Sequence, residues 1–293
     1  MQAVSLHRDV IVVTSRLLQT TCTIVRGPIA SAVEEPASRP APSGAIEVRM
    51  SQPAERAAET FVIDSPILPD ELELLPRLLE QAAFPPPSGL LATHADWDHL
   101  LGRLAFPESP LGCAQSSAER LRAEPGAAQR ELSAFDEELY VVRPRPLALG
   151  SIQALPVPGR CGIGEQELEL HPAEGHTGEG MAVWIGWAGV LVAGDYVSSV
   201  EIPTLGEGGD VEAYVATLER LRPLIARAEH VVPGHGAVLD RERAQATLAE
   251  DASYLHALRE RGAGAQLPAG RRSGRQRELH AANVAALARA ARS

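Results

Sequence analysis

The amino-acid sequence predicts an α/β fold built as one layered domain. The chain has 293 residues, 45% of them hydrophobic, which is enough for one large core. Short β-branched runs bounded by turn residues indicate strands, and segments with helical periodicity lie between groups of these runs along the whole length. Helices and strands mixed in this way favour one α/β domain over two separate ones.

The first elements are β-branched runs that we expect to pair as consecutive antiparallel strands: Val10 to Thr14, Thr21 to Val25 and Thr60 to Ile63. Residues 28–57 separate the second run from the third, are rich in Ala, Pro, Ser and Glu, and show no sustained period. A segment of this composition buries too little apolar surface to offset its ordering entropy. We therefore predict a disordered insertion at a hairpin tip that is dispensable for folding.

The later elements alternate between helix and strand. Helical spacing predicts helices over residues 70–81, 115–139, 210–226, 240–260 and 278–291. Strand-like runs occupy residues 89–93, 147–157, 167–171, 181–194 and 230–232, with 181–194 divided into two strands by a glycine-containing turn.

The C-terminal part of the chain predicts a boundary. We expect a domain of residues 1–262, an Arg- and Gly-rich linker at 263–277, and a C-terminal helix within 278–293. The apolar spacing of that helix predicts that it packs on the domain or on a partner, and the sequence does not decide between these. The linker arginines, which we expect to be solvated, are Arg271, Arg272, Arg275 and Arg277.

Composition excludes several classes of protein. A net charge of −11 and an aromatic content of 4% argue against a nucleic-acid-binding protein. The longest uncharged stretch is shorter than the roughly 20 residues of a membrane-spanning helix, and the first 20 residues form no uninterrupted apolar core of a secretory signal, so we expect no export. We therefore expect a cytoplasmic protein that binds neither membranes nor nucleic acid. The three cysteines, Cys22, Cys113 and Cys161, are predicted to be buried reduced thiols.

All 27 basic residues are arginine, and the sequence contains no lysine. Chemistry that needs an amine side chain is therefore excluded, including a Schiff base or a phosphate-loop lysine. Any anionic substrate must bind to arginine. Arg103 and Arg160 are the candidates that we consider for this role.

Four loops that follow strand-like runs carry histidine and aspartate. Neutral imidazole nitrogens and carboxylate oxygens suit zinc, iron or manganese, whereas a closed structural site of cysteine thiolates is disfavoured. One such histidine alone would more often be a structural residue, but four loops in series predict a metal centre. The loops are His94-Ala95-Asp96-Trp97-Asp98-His99, Gly175-His176-Thr177-Gly178, Gly194-Asp195, and Pro233-Gly234-His235-Gly236.

The order of these motifs resembles that of the metallo-β-lactamase-fold hydrolase superfamily, over roughly residues 10–261. A secreted β-lactamase of this superfamily would carry an export signal and usually a cysteine in place of Asp195, so the chain is expected to be similar to the glyoxalase II group instead. The resemblance implies a four-layer αββα sandwich with two divalent metal ions at the mouth between the two sheets. It also implies the ligands: His94, Asp96 and His176 for one ion, Asp98, His99 and His235 for the second, and Asp195 as a bridge between both.

Asp96 departs from the family pattern, in which the second residue of the motif is usually histidine. Two divalent ions contribute four positive charges, and three carboxylates with a bridging hydroxide contribute four negative ones, so the site is formally neutral. With histidine at position 96 the site would carry one positive charge. Zinc is the metal that we expect from the resemblance. The harder, more anionic site makes iron or manganese the alternatives.

The resemblance implies an enzyme that hydrolyses a small ester, thioester or lactone with a metal-bound hydroxide, which Asp98 would orient. Thr177 and Tyr196 adjoin ligands in sequence and are candidates to support them or to contact substrate. Because Asp96 departs from the pattern, a non-catalytic metal-binding or sensory protein remains the alternative. The sequence does not identify the substrate, and it does not decide whether the protein forms a homo-oligomer.

Overall fold

A computed structural model of the protein describes residues 1–28 and 58–290. The predicted insertion at 28–57 lies outside the described residues except for Pro28. The described chain forms two β-sheets that pack face to face, with helices on the outer face of each sheet. None of the described helices combines the length and the apolar character that crossing a bilayer requires.

The first sheet has seven strands in sequence order. Neighbours from β1 to β4 are antiparallel and neighbours from β4 to β7 are parallel. The predicted antiparallel pairing of the first three β-branched runs is confirmed, whereas β1 was not predicted because its residues are mostly exposed and mixed in character. The strands are β1 (Gln2–His7), β2 (Val10–Thr14), β3 (Thr21–Gly27), β4 (Glu59–Asp64), β5 (Gly89–Ala92), β6 (Leu111–Ala114) and β7 (Ile152–Leu155).

Helices α1 to α4 cover the outer face of this sheet. Leu75 on α1 and Leu132 on α4 pack against sheet residues such as Ile24. The helix predicted over 115–139 is two helices, because Gly126 adopts a φ of 80° that interrupts regular α-helix geometry. The helices are α1 (Pro69–Gln81), α2 (Gly102–Ala105), α3 (Gln115–Ala123) and α4 (Ala127–Leu139).

The second sheet has six strands in the order β13-β12-β11-β10-β9-β8. Its two central strands, Met181–Ile185 and Val190–Gly194, consist entirely of buried residues, which explains the long apolar run in this part of the sequence. The sequence missed β8, whose residues alternate in burial around glycines. The strands are β8 (Gly159–Ile163), β9 (Gln166–Pro172), β10 (Met181–Ile185), β11 (Val190–Gly194), β12 (His230–Pro233) and β13 (Leu239–Asp240).

Three helices cover the outer face of the second sheet: α5 (Val211–Arg227), α6 (Arg241–Arg261) and α7 (Gly274–Ala290). A separate core fills the space between the sheets and includes Val12, Leu91 and Val192. The fold is therefore the four-layer αββα sandwich that the resemblance implies.

The predicted solvated linker at 263–277 is corrected at two points. Helix α7 begins at Gly274, inside the predicted linker, and Arg271 is only 3% exposed. The Arg271 guanidinium donates to the backbone carbonyls of Ser198 and Glu201 and pairs with the Asp251 carboxylate at 2.6 Å. Arg271 is buried because these acceptors replace the hydrogen bonds that water would supply.

Helix α7 packs on the domain rather than leaving its apolar face unpartnered. The side chain of Gln276 accepts from the Ile202 N–H at 2.7 Å. Asn283 is buried, accepts from the Leu205 N–H at 2.9 Å and donates to the Pro203 carbonyl at 2.7 Å. The two amide side chains therefore fasten the loop of residues 198–209 to the C-terminal helix.

Replacing Asn283 with alanine tests this anchor. Asn283→Ala leaves the Leu205 N–H and the Pro203 carbonyl without their partner, so we expect the free energy of unfolding to fall by about 2–4 kcal/mol. Arg289→Ala, at an exposed position of the same helix, is the control and should change stability by less than about 0.5 kcal/mol. Equal unfolding midpoints in denaturant for both variants would contradict the anchoring role.

Candidate metal centre

The predicted ligands come from loops that follow strands of both sheets. His94 lies just beyond β5, and Asp98 and His99 lie on a short 3₁₀ turn, Trp97–His99. In the second sheet, Asp195 follows β11 and His235 follows β12. His176 lies in the loop between β9 and β10. The sandwich therefore gathers all these loops at one end, as expected for functional loops on a rigid scaffold.

The side chains form two groups whose ligand atoms lie within 4.8 Å of one another: His94, His176 and Asp195, and Asp98, His99 and His235. Asp195 lies between the groups. Its Oδ2 is 3.3 Å from Nε2 of His176 and 3.3 Å from Nε2 of His235, and its Oδ1 is 3.2 Å from Nε2 of His99. This is the arrangement that a bridging carboxylate requires.

Asp195 can occupy this position because residue 234 is glycine. A Cβ atom at Gly234 would overlap Oδ1 of Asp195. The Gly234 N–H donates to the Gly194 carbonyl at 2.6 Å, which holds the two loops together. The glycine of the Pro-Gly-His-Gly motif therefore makes room for the carboxylate rather than for the metal.

Each of the four imidazoles has its Nδ1 atom beside a protein oxygen. For His94, His176 and His235 the oxygen is a hydrogen-bond partner that orients the ring with Nε2 toward Asp195, as outer partners of metal-binding histidines do. For His99 the neighbour is a carboxylate at ion-pair distance, without hydrogen-bond geometry. The distances from Nδ1 are 3.0 Å to Thr93 Oγ1 for His94, 3.1 Å to Asp64 Oδ2 for His99, 3.0 Å to the Thr204 carbonyl for His176, and 3.0 Å to the Leu18 carbonyl for His235.

The Nε2 atoms test whether these residues fit a metal. Nε2 of His94, His99 and His176 is buried and has no hydrogen-bond partner among the described residues, and the same holds for Oδ1 of Asp195. Buried polar atoms are rarely left unpaired, because each one costs about 1–3 kcal/mol. Imidazole nitrogens and carboxylate oxygens that converge in this way fit divalent ions that prefer such donors, zinc among them.

Charge reinforces this arrangement. Burial alone would raise the pKa of Asp195, but the four imidazoles hold that pKa well below its ordinary value. Burial likewise opposes protonation of His176 and His235, but Asp195 outweighs it and raises the pKa of His176 to about 9 and that of His235 to about 10. In the metal-free protein, protons on His176 and His235 therefore supply positive charge that bound metal ions would otherwise supply.

Asp96 lies at the edge of the first group, outside the two closely spaced sets. Its Oδ2 is 3.6 Å from Nε2 of His94 and 3.4 Å from Nε2 of His176, which is within reach of an ion bound by those imidazoles. The side chain is 26% exposed, so it lies on the solvent-facing side of the centre.

Thr177 and Tyr196 adjoin the loop of His176. The Tyr196 hydroxyl accepts from the His176 N–H at 3.1 Å, and the Thr177 hydroxyl donates to the Glu179 carbonyl at 2.7 Å. Both side chains are buried, and neither lines the large cavity beside the centre. Their hydrogen bonds therefore support the loop that carries His176.

Sequence reasoning missed the residues that hold the imidazoles. Asp64 ends strand β4, is buried, and receives hydrogen bonds from the backbone N–H and the hydroxyl of Thr93 at 2.8 and 3.0 Å. A carboxylate directly after the apolar run Phe61 to Ile63 is a signal that could have identified it. Thr204 and the Leu18 carbonyl gave no such signal, because only the tertiary fold brings them to the centre.

A cavity of about 550 Å³ opens beside the two groups. Its wall includes apolar side chains, the carboxylates of Glu138 and Glu201, and the guanidinium of Arg275. The two arginines considered for substrate binding lie elsewhere, and this expectation is corrected. Arg103 donates to the carbonyls of Ala148 and Ser109, and Arg160 pairs with Glu167 on neighbouring strands.

Comparison with known proteins identifies the family. The family model described as the metallo-beta-lactamase superfamily matches residues 58–235, which is more than half of the chain. The protein therefore belongs to the metallo-β-lactamase superfamily, whose members are mostly metal-dependent hydrolases. A comparison with curated proteins gives no match.

Solved structures show the same fold at low identity. The metallo-beta-lactamase family protein TTHA1429 from Thermus thermophilus is 17% identical, with a TM-score of 0.59 over 87% of this chain and 83% of that one. A metallo-beta-lactamase from Pontibacter korlensis is 17% identical, with a TM-score of 0.51 over 85% and 97%. The DIM-1 metallo-beta-lactamase is 16% identical, with a TM-score of 0.54 over 85% and 94%.

The contact between Asp64 and His99 generates a prediction. Asp64→Asn keeps the shape of the side chain and tolerates the φ of 58° at this position, but it removes the charge beside Nδ1 of His99. We expect the metal affinity of the centre to fall about 10- to 100-fold in chelator competition. The control is Asp9→Asn. Asp9 is also a buried carboxylate, but it pairs with Arg26, so its replacement should leave the metal affinity unchanged.

The raised histidine pKa values predict how affinity depends on pH. With pKa values of about 9 and 10, His176 and His235 carry protons at neutral pH, and a bound ion must displace them. Apparent affinity should therefore rise with pH between 6 and 8, by up to about tenfold per unit for each proton released. Competition titrations, corrected for protonation of the chelator, measure this slope. An affinity that does not change with pH would contradict the protonated state of these two histidines in the metal-free protein.

Proposed function

We propose that this protein is a metal-dependent hydrolase that holds two divalent ions and cleaves a small ester, thioester or lactone. One observation carries the proposal: the Nε2 atoms of four imidazoles converge on Asp195 beside an open cavity, with Nδ1 of three of them hydrogen-bonded to protein oxygens and Nδ1 of His99 at 3.1 Å from the Asp64 carboxylate. A purely structural cluster would not need to leave buried nitrogens unpaired next to such a cavity.

The two groups support an assignment of the ligands. His94, Asp96 and His176 would hold one ion, and Asp98, His99 and His235 would hold the other, with Asp195 shared between them. The donors are imidazole nitrogens and carboxylate oxygens. Zinc is the ion that we propose, and the carboxylate of Asp96 keeps iron and manganese as alternatives.

Divalent ions bound here would lower the pKa of water and polarise a substrate carbonyl, which together supply a nucleophile and an electrophile at neutral pH. The residues of the chain provide orientation. Asp98 lines the cavity, and its Oδ2 lies 3.4 Å from Nε2 of His235. A carboxylate in this position can accept a hydrogen bond from the attacking water with one oxygen while the other faces the ion.

The cavity wall supports a small acyl substrate. Side chains such as Leu17, Trp97 and Phe135 provide apolar surface for an acyl group. Among the described residues that line the cavity, Arg275 is the arginine, and Glu138 and Glu201 are the glutamates. Arg275 also pairs with Glu278 at 3.8 Å. Substrates with one negative charge or none therefore fit this wall better than substrates with several negative charges.

The test combines metal analysis with a substrate panel. We expect purified protein to contain two metal ions per chain by mass spectrometry and to hydrolyse at least one ester, thioester or lactone in a chelator-sensitive manner. Matched substrates that differ only by an added carboxylate measure the charge preference. Asp195→Asn should lose metal and at least about 100-fold of the hydrolysis rate, because one change affects both ion positions.

Asp70→Asn, at an exposed carboxylate paired with Arg16, is the control and should keep both metal and activity. Protein with fewer than one ion per chain and hydrolysis that persists in Asp195→Asn would contradict the proposal. Two bound ions without turnover of any acyl substrate would favour a metal-binding or sensory protein instead.

A further inference from the structure

The carboxylate of Asp96 has two oxygens with different neighbours. Oδ2 faces the imidazoles of His94 and His176 at 3.6 and 3.4 Å. Oδ1 points the other way and accepts from Nη1 of Arg120 at 2.8 Å. One oxygen is therefore directed at the metal centre, and the other is held by a cation of helix α3.

Arg120 is itself fixed from several sides. Nη1 also donates to Oε1 of Glu179 at 2.9 Å, and Nη2 donates to Oε2 of Glu207 at 3.1 Å. The guanidinium is only 18% exposed, so it has little freedom to leave these acceptors. Three carboxylates around one planar group define its orientation.

Glu179 connects this network to the loop of ligands. Its Oε1 accepts from the Ala95 N–H at 3.1 Å, between His94 and Asp96, and its Oε2 accepts from the hydroxyl of Ser117 on α3. The arginine, the loop and the helix are thus joined at one carboxylate. Glu179 is therefore a second anchor that holds the Arg120 guanidinium beside Asp96.

Carboxylates need such control more than imidazoles do. A carboxylate can rotate and bind an ion through either oxygen or both, whereas an imidazole with its Nδ1 fixed presents a single nitrogen. A guanidinium on Oδ1 leaves Oδ2 for the ion and offsets part of the negative charge that aspartate adds. Glu179 shares this cation, so the offset is partial.

We propose that Arg120 is a positioning residue that makes Asp96 a one-oxygen metal ligand in the place where the family usually has histidine. The inference rests on the proposed function, because it assumes that the centre binds metal. It goes further by assigning a defined task to a residue outside the ligand set. Arg120 acts through Asp96, so its effect must disappear when residue 96 is not a carboxylate.

A double-mutant cycle on metal affinity tests this dependence. Arg120→Met is made in the natural chain and in chains carrying Asp96→His or Asp96→Asn, and the metal-free proteins are titrated with Zn²⁺ in competition with a chromophoric chelator. We expect Arg120→Met to weaken binding of one of the two ions about 10- to 100-fold when residue 96 is aspartate. In both other backgrounds the same substitution should change affinity less than about threefold.

Arg122→Met is the matched control, because Arg122 lies on the same helix and donates to the Ile152 carbonyl instead. It should leave Zn²⁺ affinity unchanged in all backgrounds. Unfolding in denaturant is followed in parallel, and the asparagine background replaces the histidine one if Asp96→His does not fold. A merely structural role would lower affinity equally in every background, and that result would overturn the inference.

The outcomes also distinguish a failure of this inference from a failure of the proposed function on which it rests. Natural protein that binds no Zn²⁺ would overturn the proposed function together with the role of Arg120. Natural protein that binds two ions, with an Arg120→Met effect that is the same for aspartate and asparagine at position 96, would overturn the role of Arg120 alone.

Discussion

The orientation of four imidazoles is the constraint on which the rest of the centre depends. Each Nδ1 lies beside an oxygen from a different part of the chain, so each Nε2 can point only toward the space around Asp195. Without cations, these buried nitrogens and the carboxylate would be held together only by protons. The sandwich makes this possible because loops from both sheets end at the same place, and Gly234 leaves room for Asp195 between them.

Distant parts of the chain contribute to the same orientation. Thr204 holds Nδ1 of His176 and belongs to the loop of residues 198–209, which Gln276 and Asn283 fasten to the C-terminal helix. That helix also contributes Arg275 to the cavity wall. The C-terminal helix therefore contacts both the loop that supports His176 and the cavity beside the centre, although none of its residues belongs to the proposed ligand set. Segments of this kind are where members of one fold family can differ in specificity.

The sequence predicted best what is local. Apolar runs that end in His or Asp identified the strands and the loops that carry the candidate ligands, because the period of a strand and the residue types that bind metals are both visible over a few residues. The partners of those ligands were not visible. Asp64 and Arg120 reach the centre only through strand pairing and helix packing, and Arg271 is buried because carbonyls distant in sequence surround it. A cluster of arginines predicts solvent exposure only when such acceptors are absent.

Direct observation of the ions is the most decisive measurement. Anomalous diffraction at the zinc absorption edge, from crystals of the zinc-loaded protein, locates each ion without reference to activity. We predict two peaks about 3.5–4 Å apart, each about 2 Å from imidazole Nε2 atoms, with Asp195 between them. Absence of a peak at this centre, or ions bound only at surface carboxylates, would contradict the assignment of these residues to a metal centre.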